Sequence, residues 1–490
     1  MAKGSATTTI WLVIPLLVPM ALPGLAQSSD DIITKQYDNG GVYEGTFKDG
    51  KQDGQGIYRL PNGYEYDGAW LAGEITGQGT ARYPNGSVYV GAFIGGKPEG
   101  KGKITFGDGG TYEGDWVAGQ MTGAGEVRYA NGVVYRGGLK NAVHDGNGTI
   151  EDPSGYRYEG TWVDGVKDGS GTISYPDGAV YVGAVKADQR DGSGVLTLKD
   201  GTKFEGAWAA GKIGGKGRIS LTNGDSYDGE LVDGIRQGTG RAAYANGDVY
   251  EGAFVKDQRQ GTGSFTGKDG TRYQGDWTEG RMEGKAAISY PGGAIYTGSF
   301  VNGLADGSGK IIYPGGNSYE GTWVKGVIEG TGTATYGEGL TYTGSFVAGQ
   351  QQGKGKMTYA DGYVYEGDWK GGQRDGEGVA TYPGGTIYTG HFTAGKRDGT
   401  GSIVMADGFR YEGQWKGGTI EGNGVATYTN GDVYDGAFLG GKRNGAGKLS
   451  YATGEQATGT WQNGELLRTG SETVPAADGS VAPAATDGGN

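Results

Sequence analysis

Tyr66-Asp67-Gly68-Ala69-Trp70 passes through Gly77-Gln78-Gly79, closes on Asn85-Gly86 and starts again at Tyr89-Val90-Gly91. The interval is 23 residues, and it recurs without insertion from Tyr43-Glu44-Gly45 to Tyr434-Asp435-Gly436. That makes eighteen copies, seventeen opened by Tyr and one by Phe204. A nineteenth, Ala457-Thr458-Gly459, lacks the ring but keeps Trp461 in register. A period of this length marks a repeat architecture in which each unit buries its apolar side against its neighbours.

The 109 glycines among 490 residues are mostly in phase with this period. One lies in each Tyr-x-Gly. Two form the Gly-x-Gly that follows, broken only at Ala286. One closes each unit, and a less strict fourth position runs from Gly50 to Gly464. No Gly-X-Y triplet runs through the chain, which excludes collagen. The 33 Tyr, 11 Phe and 10 Trp argue against disorder. No helical period is present, and glycine at this density would cost a helix about 1 kcal/mol per site.

The pairs Asn62-Gly63, Asp108-Gly109 and Asn430-Gly431 predict two-residue type I′ hairpin turns, with both φ angles positive. A strand such as Gly79–Tyr83 precedes the turn and another, Val88–Phe93, follows it. Gly95-Gly96-Lys97-Pro98-Glu99 reads as a longer loop joining the strands. Alternation places Tyr112, Gly114 and Trp116 on one face, with Gly169, Gly171, Ile173 and Tyr175 in the other strand. The opposite parity is polar, as at Lys103, Thr105, Thr172 and Ser174. A ring lying over a glycine lets a single layer bury apolar area.

With its Tyr-x-Gly start, Gly-x-Gly centre and terminal Asn/Asp-Gly, the chain resembles the MORN repeat family from about residue 40 to 464. The resemblance implies an all-β, elongated single-layer array of consecutive β-hairpins, a twisted rod. Nineteen hairpins at about 4.8 Å per strand would span roughly 180 Å. The family also implies scaffolding at cytoskeletal or membrane junctions and, for some members, phospholipid binding.

Four residues after each Tyr stands a bulky residue. Trp70, Trp116, Trp162 and Trp208 are 46 apart, as are Trp277, Trp323, Trp369, Trp415 and Trp461. The alternation slips by one unit near 231–254, around Leu231 and Phe254. A junction of two arrays and duplication history alone account for the slip equally well. The more complete series, Trp277, Phe300, Trp323, Phe346, Trp369, Phe392 and Trp415, is the candidate partner-binding set.

Nothing in the pattern points to catalysis. There is no Cys, and the two histidines, His144 and His391, read as solvated substitutions. Acidic residues before the Gly-x-Gly pair, such as Asp53, Glu99, Asp168, Asp375 and Asp398, fit loop chemistry better than a cation ladder. Neighbouring rungs about 9.5 Å apart cannot share one ion. No catalytic, cofactor or metal site is expected. The net charge of -13 disfavours nucleic acid and anionic lipid.

Residues 1–26 read as a secretory signal peptide, with Lys3, an apolar run from Ile10 to Leu25 and small residues at Gly24 and Ala26. Residues 27–40 form a lead-in, 41–464 the array, and 465–490 a disordered tail rich in Ala, Gly and Asp. The expected product is an exported periplasmic or extracellular scaffold without enzymatic activity. Its expected partner is a protein, with a membrane surface, a polysaccharide or a second copy of the chain as further candidates. N-terminal sequencing of the protein recovered from its source should give a start near Gln27; a start at Met1 would remove the export reading.

Overall fold

The computed structural model describes residues 31–467. The leader, residues 1–26, lies outside them, as does the tail beyond 467. The chain divides into two compact units. One comprises residues up to Gly178 with Ala184–Asp188, and the other Ala179–Gly183 with everything from Gln189 onward.

Within each unit the strands form an open antiparallel sheet and pair in chain order. Examples are Glu65–Leu71 with Glu74–Arg82 in the first unit and Thr341–Val347 with Gln350–Thr358 in the second. Among the described residues the only helical segment is a short 3-10 turn at Gly337–Gly339. The 23-residue period resolves into four parts. A seven-residue strand, Thr341–Val347, is followed by the turn Ala348-Gly349 and a nine-residue strand, Gln350–Thr358. The connection 359–363 then leads to Val364–Lys370.

The two connections differ from the sequence expectation. The two-residue turn is Ala348-Gly349, with φ of 49° and 78°, or Gly95-Gly96, with 55° and 75°. Paired positive φ is the type I′ requirement. Lys97, Pro98 and Glu99, expected in a loop, belong to the strand Lys97–Thr105. The Asn/Asp-Gly pairs instead sit in the five-residue connection, where only the Gly has positive φ, 89° at Gly362. There Gly362 N donates to Tyr359 O at 3.1 Å and Tyr359 N to Tyr363 O at 2.8 Å, the pattern of a three-residue loop. Asp361 is chosen for its side chain, which accepts from Tyr363 N at 2.9 Å.

Why the strands differ in length is visible at Tyr342. Gly344 faces Gly355, but Phe346 faces Gln351, so a bulge lies between them. Gly353, the first of the Gly-x-Gly pair, supplies φ of 67° there. Gly355, the second, lies beneath the Tyr342 ring. The Tyr342 hydroxyl donates to the carbonyl of Ser345, which stands opposite the bulge, at 3.0 Å. A Cβ on Gly344 would lie 2.5 Å from that hydroxyl and 2.6 Å from the Gly355 Cα. The same contacts recur in the first unit at Tyr112, whose hydroxyl reaches Asp115 O at 2.7 Å.

Two departures show what the ring contributes. Phe204 has no hydroxyl and is half-buried; Ile213 and Leu231 fill the space over Gly217 instead. At the last unit, where Ala457 replaces Tyr, Leu466 reaches over Gly459, 2.8 Å from where its Cβ would stand. Leu466 belongs to a final strand, Glu465–Leu466, at the position where the sequence predicts the tail to begin. At the other end Ile33–Gln36, in the expected lead-in, pairs with Val42–Lys48. Near 231–254 the registers are the same as elsewhere, with Gly229 on Gly240 and Gly240 on Gly252. The division into units falls instead at 178–189.

Ala286 stays buried opposite Gly275, so one methyl is tolerated in the glycine row. Facing methyls are not: a Cβ on Gly275 would collide with that of Ala286. Gly355→Ala should therefore cost about 1–3 kcal/mol in urea unfolding. Adding Gly344→Ala should cost more than the sum of the two single changes.

Candidate interaction surfaces

All seven rings of the predicted binding set lie in the core. Trp277, Phe300, Trp323, Phe346, Trp369, Phe392 and Trp415 are each 7% exposed or less. Each stands edge-on between two tyrosines: Trp323 is 5.1 Å from Tyr296 and 5.6 Å from Tyr319 by centroid. The indoles are anchored as well, Trp323 Nε1 donating to Gly309 O at 3.2 Å and Trp369 Nε1 to Gly355 O at 3.0 Å. Such edge-to-face pairs add about 0.5–1.5 kcal/mol each beyond burial. A depression of about 360 Å³ is lined by Trp277, Phe265, Tyr273, Met282 and Ile288. Gly267 stands there at the repeat position occupied by Tyr244 and Tyr290.

At several of these rings the second residue after a tight turn folds over the face. Arg259 lies 4.1 Å from the Trp277 centroid, and Arg397 lies 4.5 Å from Trp415. The same guanidiniums reach forward, Arg259 to Gly280 O at 2.8 Å and Arg397 to Gly418 O at 2.9 Å. In the sequence this position is Arg at 190, 236, 259, 374, 397 and 443, a recurrence in multiples of 23 that could have exposed it. His144 occupies it too. The ring is not a solvated substitution: it stacks on Tyr135 at 3.6 Å, and burial holds its pKa down. His391 lies in the other unit, its Nδ1 3.1 Å from Asp398 O.

The acidic residues before Gly-x-Gly hold the next turn. Glu99 accepts from Ala118 N at 2.7 Å, and Glu329 from Ala348 N at 2.8 Å. Asp53, Asp375 and Asp398 do the same for Ala72, Ala394 and Gly417. Among the described residues no group of three or more His, Asp or Glu is placed to hold a metal ion.

Three surfaces are left for partners in the second unit. The polar face carries depressions of about 1030 and 750 Å³. Their charges pair across strands, Lys354 with Asp368 at 2.8 Å and Lys310 with Glu320 at 3.1 Å. At the tight-turn edge, facing aliphatic pairs such as Val301/Leu304 and Val324/Val327 are exposed. At the opposite edge each five-residue connection opens on a residue that is Tyr in five consecutive repeats: Tyr290, Tyr313, Tyr336, Tyr359 and Tyr382. Tyr290 and Tyr313 are 40% and 41% exposed, and the other three are half-buried.

The described structure is thus a repeat scaffold: a locked aromatic core with three surface rows replicated unit by unit. Its repeats match the MORN repeat family in seventeen segments, at 43–63, across 66–134, across 158–362 and across 365–456. The chain belongs to that family. The unit 135–157 falls outside the match yet pairs like its neighbours, Gly137 facing Gly148. No curated protein is similar in sequence. Among solved structures, the SAS-4 TCP domain of Drosophila melanogaster, in complex with a proline-rich motif of Ana2, is 19% identical over 32% of this chain and 88% of that one, with a TM-score of 0.22. The TCP10 domain of Danio rerio CPAP is 16% identical over 45% and 93%, with a TM-score of 0.21. Likenesses this slight carry no argument about function.

Burial also moves the core phenols. Tyr89, Tyr112, Tyr250, Tyr296 and Tyr342 are pushed up to about 12. An unfolded phenol ionises near 10. The neutral form is favoured in the fold, so this stabilisation is complete below pH 10 and is lost as pH rises towards 12. Thermal melting followed across pH 9–12 should show a steep fall above about pH 10, with phenolate absorbance rising at the same transition.

Proposed function

We propose that this MORN-repeat protein is an exported, non-enzymatic scaffold that binds or spaces protein partners in the cell envelope. The observation that carries the reading is the enclosure of the core. With Trp323, Trp369 and their neighbours buried, recognition falls to surface rows repeated along each unit. Repeated rows suit an extended or multivalent partner better than a small substrate. The leader read at residues 1–26 supports export. An anionic membrane surface is disfavoured, because in the pairs Lys396-Arg397 and Lys442-Arg443 both arginines are buried beside rings.

The absence of Cys from the chain makes site-specific crosslinking direct. Thr343→Cys reports on the polar face, Val347→Cys on the tight-turn edge and Asp361→Cys on the opposite edge. Crosslinking in the envelope fraction should join one of these positions to a protein in preference to the other two. Co-sedimentation with polysaccharide or with anionic vesicles at physiological salt, with no protein joined at any position, would overturn the proposal.

A further inference from the structure

The tyrosine row in the second unit has a spacing of its own. Its rings recur once per hairpin, that is every two strands, or about 9.6 Å. A polyproline II helix rises about 3.1 Å per residue with three residues per turn, so its turns recur about every 9.3 Å. Over the four intervals from Tyr290 to Tyr382 the two periods drift apart by only about 1 Å.

The connections themselves carry charge of one sign; Arg374, which bonds the Tyr363 hydroxyl, is buried. The segments 289–295, 312–318, 335–341, 358–364 and 381–387 contain Glu338 and Asp361 and no Lys or Arg. Both acids are exposed, and they stand in consecutive connections. Glu338 has φ of 62° and ψ of 23°, a left-handed conformation that costs a side-chain-bearing residue about 1–2 kcal/mol. Between the rings the chain is preorganised by Pro291, Pro314 and Pro383. Tyr359 and Tyr382 each pack against the buried ring of Tyr363, at 5.1 and 5.0 Å, which fixes their positions at that end.

We propose that Tyr290, Tyr313, Tyr336, Tyr359 and Tyr382 dock a basic, proline-rich segment of a protein partner in the polyproline II conformation, one helical turn per hairpin. This rests on the reading of the protein as a protein-binding scaffold. Proline rings pack on the phenol faces, and the ligand loses little entropy because it is already extended. Two cationic side chains three residues apart in the ligand face Glu338 and Asp361. The chain's own tail has the wrong sign: beyond Arg468 its charged side chains are Glu472, Asp478 and Asp487.

The test uses the full chain and a peptide of five Pro-Pro-Arg triplets, with a Gly-Gly-Arg peptide of equal length and charge and a neutral chitin hexasaccharide as comparisons. Fluorescence anisotropy should give binding of the proline peptide about tenfold or more tighter than the glycine peptide, and tighter than a two-triplet version. Tyr313→Ala with Tyr359→Ala should lower affinity about tenfold or more. Tyr83→Ala in the first unit should leave it unchanged. If the double tyrosine variant melts early, Glu338→Lys with Asp361→Lys serves instead, and it should reverse preference from Pro-Pro-Arg to Pro-Pro-Glu peptides. Equal binding of the glycine peptide, indifference to both pairs of substitutions, or binding of the hexasaccharide in place of the peptide would overturn the inference. A protein crosslinked through Thr343→Cys or Val347→Cys in the face of that result would leave the scaffold reading standing and sink this one alone.

Discussion

Nearly every unit depends on one close approach, a phenol ring laid across two facing glycines. Where Tyr342 crosses Gly344 and Gly355, the backbones leave room for no Cβ between ring and sheet. The hydroxyl then reaches the Ser345 carbonyl, which the bulge has taken out of the strand ladder. Ring, bare backbone and bulge therefore require one another. The bulge places two more residues in the second strand than in the first, and the two connection lengths complete the repeat. A period kept without insertion over more than four hundred residues follows from that local geometry rather than from any long-range contact.

Enclosure of the ring is finished from elsewhere in the chain. In several units the residue nine beyond the Tyr closes over it, as Arg259 does for Tyr250 and Trp277. The backbone of that lid residue and the acid beside it then grip the following tight turn: Arg259 O receives Gly280 N, and Glu329 receives Ala348 N. The amides of each tight turn are thus satisfied by the preceding unit. The surfaces that remain are side chains no lock requires, which frees them to vary with the partner.

The pairing of Tyr-x-Gly with Gly-x-Gly, the aromatic parity and the hairpin order are legible in the sequence because the locking contact tolerates so few residues. The turns are legible only in part. Asn or Asp before Gly suits a positive φ and equally suits an acceptor for the amide two residues on, and at Asn62 and Asp361 only the second use is made. The lids are hidden by their variety, since Arg397, His144, Ile328 and Gln351 do the same covering with different chemistry. Size misleads at the candidate site: the tryptophans stand out in the sequence, yet their bulk is what the core consumes. The smaller tyrosines at the far edge stay partly exposed, Tyr290 and Tyr313 the most.

The cap at Leu466 has a consequence for how such a chain can grow. Each unit is finished by residues that its successor supplies or contacts, and the last is finished by a leucine rather than by another tyrosine. A unit copied anywhere upstream meets compatible neighbours on both sides, so unequal recombination within the gene would yield a folded product at once. The terminal strand is the one piece that cannot be copied inward without loss, because Leu466 carries no hydroxyl to hold a bulge. The array can thus change length by whole units without breaking the lock, while its terminal strand serves only as an end.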